Sequence, residues 1–241
     1  MLAATGIASR RRLEDWIRSR RITVNGKIAV LGQKVSRTDR IEIDGQPVAL
    51  RVPGRLRVLA YHKPVGEICT RNDPGRRVTV FDNLPELSAG RWIGVGRLDI
   101  NSSGLILLTT DGKLADALMR PATGVVREYR VRVLGAVSEK MLAKLRSGVK
   151  LEEGVARFKS VQPAGGSGGV NRWFVCRLTE GRNREVRRLW EAVGCQVSRL
   201  IRTRYGSVQL PRQVRPGESY ELDDRATAEL YRCAGIDVSE D

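Results

Sequence analysis

Residues 92–112 read Trp-Ile-Gly-Val-Gly-Arg-Leu-Asp-Ile-Asn-Ser-Ser-Gly-Leu-Ile-Leu-Leu-Thr-Thr-Asp-Gly. The apolar run Leu105–Leu108, which is bounded by turn residues, predicts a buried strand. One carboxylate, Asp99, lies in the polar, glycine-rich segment before this strand, two residues after Arg97. Glycines let the backbone approach a ligand closely, whereas an aspartate in such a segment often only caps a turn. The residues alone therefore leave two interpretations of Asp99 open, a turn residue or the centre of a site.

Arginine dominates the charge of this chain. Its 241 residues include 43 Lys and Arg against 27 Asp and Glu, a formal net charge of +16, and 35 of the basic residues are arginines. Arginine suits bidentate contacts with phosphate and stacks on planar groups. The excess indicates a polyanionic partner. Charge alone does not separate RNA from DNA or from an acidic membrane.

Other features restrict the class of protein. No apolar run approaches the roughly 20 residues that span a membrane, and the N-terminus lacks the ordered regions of a signal peptide. The cysteines Cys69, Cys176, Cys195 and Cys233 have no C-x-x-C spacing, and His62 is the single histidine, so no zinc site is expected. We therefore expect a cytoplasmic protein with free thiols, no metal and no membrane contact.

Residues 1–50 are expected to form a small basic unit with 10 basic and 5 acidic side chains. Ser9 is predicted to cap a helix whose apolar stripe is Leu13, Trp16 and Ile17. Asn25-Gly26 between short apolar segments predicts a β-hairpin.

The predicted helix carries many arginines, beginning with Arg10, Arg11 and Arg12. A run of charge is usually a solvated face, but six arginines around one short helix favour an RNA-binding surface. The order Gly-Ile-Ala-Ser-Arg-Arg, helix, Val-Asn-Gly-Lys and Ile-Asp-Gly resembles the S-four RNA-binding domain. Such domains usually begin with one more turn of helix than this chain has before Leu2, which leaves open whether the N-terminus is complete.

Residues 51–57 are predicted to be a linker, because Pro53-Gly54 breaks regular structure. A larger domain is expected over residues 58–241. Residues 51–241 carry 33 basic and 22 acidic side chains. Both parts are basic, which fits one ligand that spans them.

Two more segments of the larger domain carry site candidates. Val125–Leu134 alternates as a strand does, so Tyr129 points with the apolar face toward the core or a pocket wall. Thr179–Gly194 places several arginines at a strand-to-helix junction, where backbone N–H groups favour anions. Arg202 follows on a strand whose arginines alternate with apolar residues, a pattern that suits one RNA-facing side.

These segments, in order, resemble the motifs of pseudouridine synthases that modify single sites in bacterial ribosomal RNA, the RsuA/RluB group. The matching segments are Lys63-Pro64-x-Gly66, Gly-Arg-Leu-Asp ending at Asp99, Arg-Glu-Tyr-Arg-Val around Tyr129, and Glu-Gly-Arg-x-x-x-Val-Arg-Arg ending at Arg188. The resemblance covers nearly the whole chain. It implies an α+β fold in which a mixed, largely antiparallel sheet forms the catalytic core and a small S-four-like domain precedes it.

The resemblance also implies roles for individual residues. Asp99 is expected to act on a uridine that has been flipped out of the RNA, and whether it attacks the anomeric carbon or first removes a sugar proton stays open. Tyr129 is expected to stack on the uracil, and Arg187 to pair with Asp99. Arg97 is expected to hold a phosphate or to fill the vacated space. The other arginines expected to bind RNA are Arg10, Arg11, Arg12, Arg182, Arg184, Arg188 and Arg202.

The expected function is the isomerisation of one uridine to pseudouridine by a monomer, with ribosomal RNA as partner and no cofactor. Within the family, the details of the motifs are most similar to members that modify 23S ribosomal RNA. The same reaction on 16S ribosomal RNA is one alternative. Another is a non-catalytic ribosome-assembly protein, which explains the charge but not three site residues in motif context. A methyltransferase would need a cofactor-binding fingerprint that the sequence lacks.

Overall fold

The computed structural model describes residues 2–36, 38–50, 55–165 and 171–237. The chain divides into two units. The smaller contains Met1–Leu56 together with Pro85–Ile93 and Thr110–Gly112, and the larger contains Arg57–Leu84, Gly94–Thr109 and Lys113–Asp241. The boundaries expected at residues 50 and 58 stay predictions, and residues 51–54 of the expected linker lie outside the described residues.

The smaller unit combines one helix with a four-stranded antiparallel sheet of order β2-β1-β3-β4. Its elements are a 3-10 helix (Leu2–Thr5), α1 (Arg10–Arg18), β1 (Ile22–Val24), β2 (Lys27–Ile28), β3 (Ile41–Ile43) and β4 (Gln46–Pro47).

Local sequence signals account for these elements. The Ser9 side chain accepts a hydrogen bond from the backbone N–H of Arg12 and caps α1. Leu13 is buried in the small core of this unit, and Trp16 packs against that core. Asn25 and Gly26 both have positive φ, 52° and 78°, the geometry of a two-residue turn that matches the twist of a hairpin. The predicted cap, apolar stripe and hairpin are confirmed.

The larger unit is built on a nine-stranded sheet, with a separate hairpin of β9 and β10. The strands are β5 (Val58–Lys63), β6 (Ile93–Val95), β7 (Ser103–Thr109), β8 (Arg127–Leu134), β9 (Val149–Leu151), β10 (Gly154–Ala156), β11 (Ser160–Pro163), β12 (Asn171–Leu178), β13 (Gln196–Tyr205), β14 (Val208–Gln209) and β15 (Ser219–Glu221). The helices are α2 (Gly112–Met119), a 3-10 helix (Pro121–Thr123), α3 (Glu139–Ser147), α4 (Glu185–Glu191) and α5 (Asp224–Cys233).

The main sheet has the order β11-β12-β8-β13-β7-β5-β15, with β14 beside β13 and β6 beside β7. The β13–β7 pair is parallel, while β11–β12, β12–β8, β13–β8, β5–β7 and β15–β5 are antiparallel. One face of β8, β12 and β13 packs with α3 and α4 in a core around Phe174 and Trp190. The expected α+β fold with a mixed, largely antiparallel sheet is confirmed. None of the described helices is long and apolar enough to cross a membrane.

Gly104 lets the central parallel pair form. It lies opposite Arg202 of β13 with a φ of +107°. A Cβ at this position would lie 2.2 Å from the carbonyl oxygen and 2.5 Å from the backbone nitrogen of Arg202. Only glycine therefore lets β7 and β13 approach this closely.

Gly104→Ala should lower the free energy of unfolding by about 3 kcal/mol or more, because it adds a backbone clash to an unfavourable φ. Urea denaturation measures the loss. The matched control is Gly154→Ala, where φ is +110° and nothing lies within 4 Å of the added Cβ. Equal losses in the two variants would contradict a clash with Arg202.

Candidate active site

The loop that carries Asp99 is held by hydrogen bonds to five consecutive backbone carbonyls. Because each carbonyl accepts a hydrogen bond, the backbone cannot shift without breaking one of them. The pairs are Leu98 O with the Cys69 thiol (3.4 Å), Asp99 O with Ser102 N–H (2.9 Å), Ile100 O with Gly66 N–H (2.9 Å), Asn101 O with Arg187 Nη2 (3.0 Å) and Ser102 O with Lys63 Nζ (2.8 Å). We call Leu98–Ser102 the anchored loop. Four of the five donors lie outside the loop, and together they fix the direction in which the Asp99 carboxylate points.

Two of these donors are buried cations. Lys63 is fully buried, and its Nζ also donates to Pro64 O at 2.7 Å. Arg187 is 8% exposed, and its Nη1 donates to Val197 O at 2.9 Å. Burial lowers the pKa of Lys63. Burial, with a smaller contribution from the nearby Arg184 charge, also lowers the pKa of Arg187. Carbonyl oxygens offset part of the cost of burying both charges.

Asp99 lines a cavity of about 680 Å³ in the larger unit. Its side chain is 36% exposed, so the carboxylate is accessible as well as held in place. Tyr129 on β8 lines the same cavity. Arg97, Arg184 and Arg202 line it from other parts of the chain. With Arg182, the structure therefore brings together six of the predicted site residues. The volume lies within the range of pockets that enclose small organic ligands.

The cation closest to Asp99 differs from the predicted one. Arg184 Nη1 lies 4.0 Å from Asp99 Oδ2, whereas no nitrogen of Arg187 lies within 4.0 Å of that carboxylate in the described structure. In the described structure the Arg187 guanidinium donates to the carbonyls of Asn101 and Val197 instead, and its expected pairing with Asp99 stays a prediction. Arg187 holds the anchored loop through the Asn101 carbonyl, and Arg184 is the described cation within 4.0 Å of the Asp99 carboxylate.

Arg184 itself has an unusual backbone. It is the N-cap of α4 with φ of 47° and ψ of 30°, a left-handed conformation that is uncommon outside glycine. Such strain clusters at functional sites, where the surrounding structure holds it. Its side chain is 45% exposed and also lies 4.0 Å from Glu191 Oε1.

The other predicted arginines fall into separate groups. Arg182 lines the cavity, but its donors reach Glu180, Gly154 O and Val155 O. Arg188 pairs with Glu153 at 2.8 Å and is absent from the described cavity wall. Arg202 is 2% exposed and donates through Nε to Leu105 O at 2.7 Å.

Arg10, Arg11 and Arg12 are exposed on α1 of the smaller unit. Their contacts with RNA stay predictions.

Sequence reasoning missed Arg127 and Tyr205, which also line the cavity. The Arg127 guanidinium donates to the Tyr205 hydroxyl at 2.9 Å and to Thr179 O at 2.9 Å. Arg127 precedes Tyr129 by two residues, so the alternation of β8 already placed it on the same face. Tyr205 gave no comparable signal, because two register shifts interrupt β13.

The chain matches two family descriptions, the S4 domain over residues 1–41 and RNA pseudouridylate synthase over residues 57–192. It is 55% identical over 227 residues to ribosomal large subunit pseudouridine synthase B of Escherichia coli (strain K12), covering 92% of this chain and 78% of that protein. This chain belongs to the RNA pseudouridylate synthase family.

Relatives from other organisms extend the similarity. The synthase is 50% identical to ribosomal large subunit pseudouridine synthase B of Yersinia pestis, with 99% of this chain and 76% of that protein covered. The corresponding protein of Haemophilus influenzae is 53% identical, with 98% and 67% covered. A crystal structure of a pseudouridylate synthase has the same fold, with a TM-score of 0.65 and 24% identity over 95% of this chain and 96% of that one.

The two arginines near Asp99 should respond differently to the same substitution. Arg187→Gln should lower the free energy of unfolding of the synthase by about 3 kcal/mol, because it leaves buried carbonyls without their charged donor. Arg184→Gln, at a half-exposed position, should leave the melting temperature nearly unchanged and lower kcat/KM by about tenfold. Thermal denaturation and single-turnover assays of both variants measure this. A stable Arg187→Gln protein would show that the anchored loop does not depend on this side chain.

A buried carboxylate lies beside the Lys63 donor. Glu67 is 7% exposed and accepts hydrogen bonds from the Tyr61 hydroxyl at 2.9 Å to each carboxylate oxygen. Burial raises the pKa of Glu67. The folded protein therefore holds this proton more tightly than the unfolded chain does. The resulting stabilisation is complete below the unfolded pKa of about 4.3 and is lost as pH rises through the folded-state pKa.

Glu67→Gln keeps the shape of the side chain but cannot ionise. The difference in the free energy of unfolding, variant minus wild type, should therefore increase as pH rises from about 4 to about 7. Urea denaturation at several pH values measures it. Glu229→Gln on α5 neutralises a half-exposed carboxylate that pairs with Arg225 and serves as control. If the Glu67→Gln and wild-type curves stay parallel with pH, burial does not perturb this carboxylate.

Proposed function

We propose that this synthase converts one uridine of 23S ribosomal RNA into pseudouridine, with Asp99 as the residue that acts on the sugar. The observation that carries the proposal is the position of Asp99, on an anchored loop at the wall of a cavity that Tyr129 also lines. Relatives named for the large ribosomal subunit support that subunit's RNA as the substrate.

The reaction makes definite demands on this site. The bond between C1′ of the ribose and N1 of uracil breaks, the base turns, and C1′ bonds to C5; C5 loses a proton and N1 gains one. A carboxylate beside the sugar can attack C1′ or stabilise a cation there, and it can alternatively remove a sugar proton first. Both routes place negative charge on Asp99 next to the Arg184 guanidinium, whose Nη1 lies 4.0 Å from Asp99 Oδ2. Isomerisation has no net redox change, so no redox cofactor is required.

The remaining cavity residues suit an extruded nucleotide. Uridine must leave its helix at a cost of a few kcal/mol before it can enter the cavity. Tyr129 offers an aromatic ring for stacking on the uracil. The buried Nη2 of Arg202 has no hydrogen-bond partner among the described residues, and it supplies a donor for the nucleotide. Exposed Arg97 contacts a neighbouring phosphate or fills the space that the base leaves.

We further propose that Arg10, Arg11 and Arg12 bind RNA outside the target site, in keeping with the S4 domain match of this unit. Cytoplasmic localisation follows from the proposed substrate and agrees with the free thiols of Cys176 and Cys195. The monomeric state expected from the sequence stays a prediction.

The test is base-resolved pseudouridine mapping of ribosomal RNA incubated with wild type and with Asp99→Asn. We expect one new pseudouridine in 23S ribosomal RNA with wild type, and a rate at least about 10⁴-fold lower with the variant, as for loss of a catalytic carboxylate. RNA affinity should stay within about twofold of wild type, since the substitution preserves shape. Asp116→Asn removes an exposed carboxylate from α2 and should leave activity unchanged.

Each contrary outcome points to a different error. If Asp99→Asn stays fully active, Asp99 only caps a turn. If wild type binds ribosomal RNA but modifies no uridine in any form of it, the protein is a non-catalytic assembly protein. A new pseudouridine in 16S ribosomal RNA alone would support the proposed reaction but contradict 23S ribosomal RNA as the substrate.

A further inference from the structure

The main sheet has a second face that the catalytic site does not use. Strand register places Arg132 between Trp173 on β12 and Arg199 on β13, and Arg130 between Val175 and Ile201. These side chains alternate with the inward residues Tyr129, Val131 and Leu200 and point to the opposite side. We call the following six residues the outer sheet face: Arg130, Arg132, Trp173, Val175, Arg199 and Ile201.

The outer sheet face is open in part and strongly basic. Arg130 and Arg199 are exposed, while the other four residues are half-buried. In the part of the chain that the structure describes, no carboxylate lies within 4.0 Å of Arg130, Arg132 or Arg199. The neighbouring Glu128 is 9% exposed and already pairs with Arg177 at 2.7 Å. The positive charge of this surface is therefore not neutralised by the protein itself.

This arrangement is unfavourable for folding alone. Arg132 and Arg199 are direct cross-strand neighbours, and like charges in such pairs destabilise a sheet. Apolar area of Trp173, Val175 and Ile201 stays in contact with water beside them. Both costs fall when a polyanion with flat apolar groups covers the surface.

Trp173 indicates which class of polyanion this surface binds. The Arg130 guanidinium lies 5.2 Å from the centre of the Trp173 ring, so a cation and an aromatic plane are already stacked. Unpaired bases stack on aromatic rings and on guanidinium planes, and neighbouring arginines contact the phosphates. A base-paired helix would offer phosphates but no free base planes.

We propose that the outer sheet face binds a single-stranded RNA segment, separate from the segment whose uridine enters the cavity on the other face of the sheet. Trp173 stacks on a base, and Arg130, Arg132 and Arg199 contact its backbone. The synthase then holds its RNA at two sides of one sheet.

The test uses the full-length chain and a fluorescent oligouridylate of about 12 nucleotides, a length within the range bound by single-strand-binding folds. Arg132→Gln/Arg199→Gln should weaken binding at least about fivefold. It should also reduce the magnitude of the salt slope by about 1.4, the value for two lost phosphate contacts on a single strand. Trp173→Leu, which keeps an apolar side chain, should weaken binding at least about fivefold by loss of stacking.

Arg225→Gln/Arg232→Gln is the matched control, since it removes the same charge from exposed positions of α5. Its affinity should stay within about twofold of wild type. The melting temperature of Arg132→Gln/Arg199→Gln should equal or exceed that of wild type, because a like-charge pair is removed; a purely structural role would lower it.

Two outcomes would overturn the proposal. In the first, the outer-face variants and the control bind the oligouridylate equally well. In the second, RNA binding is unchanged but association with purified large-subunit particles falls, which would identify a protein partner for this face. Both readouts are binding measurements and stay valid whichever uridine the synthase modifies.

Discussion

The anchored loop depends on hydrogen bonds to five successive carbonyls, and other parts of the larger unit supply four of the five donors. Asp99 follows a glycine-rich segment, which by itself would let the carboxylate take many directions. Lys63 at the end of β5, Gly66 and Cys69 beyond it, and Arg187 on α4 remove that freedom. Catalysis requires such preorganisation, because a reacting group must be held close to its productive geometry. The sheet and α4 serve as a frame for this one turn of chain.

That frame includes charges that a protein interior normally rejects. Lys63 and Arg187 are buried, and burial lowers the pKa of both. A neutral donor would be easier to bury, but a long cationic side chain can reach carbonyls on another strand and makes a stronger hydrogen bond. The same two charges also interact electrostatically with the Asp99 carboxylate. One set of side chains thus serves both the shape of the loop and its electrostatics.

Local patterns in the sequence predicted local structure well. The Ser9 cap, the Asn25-Gly26 turn and the alternation of β8 that directs Tyr129 inward each depend on a few neighbouring residues. Partners distant in sequence were not predictable, because they depend on how elements pack. Arg187 reaches Asn101 across 86 residues, and Arg188 reaches Glu153 across 35. The motif resemblance placed Arg187 near Asp99 but did not indicate that its guanidinium donates to the carbonyls of Asn101 and Val197. The order of strands, with the parallel pair of β13 and β7 at the centre, also could not be predicted from local sequence patterns.

The same long-range pairing determines when the site forms during protein synthesis. β7 pairs with β5, which precedes it, but its other edge is covered by β13, and Arg202 reaches Leu105 across 97 residues. A ribosome adds residues from the N-terminus, so the Asp99 segment is made long before Arg187 and Arg202. A nascent chain therefore presents its basic N-terminal helix while the Asp99 loop has Lys63, Gly66 and Cys69 as donors but still lacks Arg187. The basic helix of the smaller unit is thus made first, and the hydrogen bonds around Asp99 are completed last.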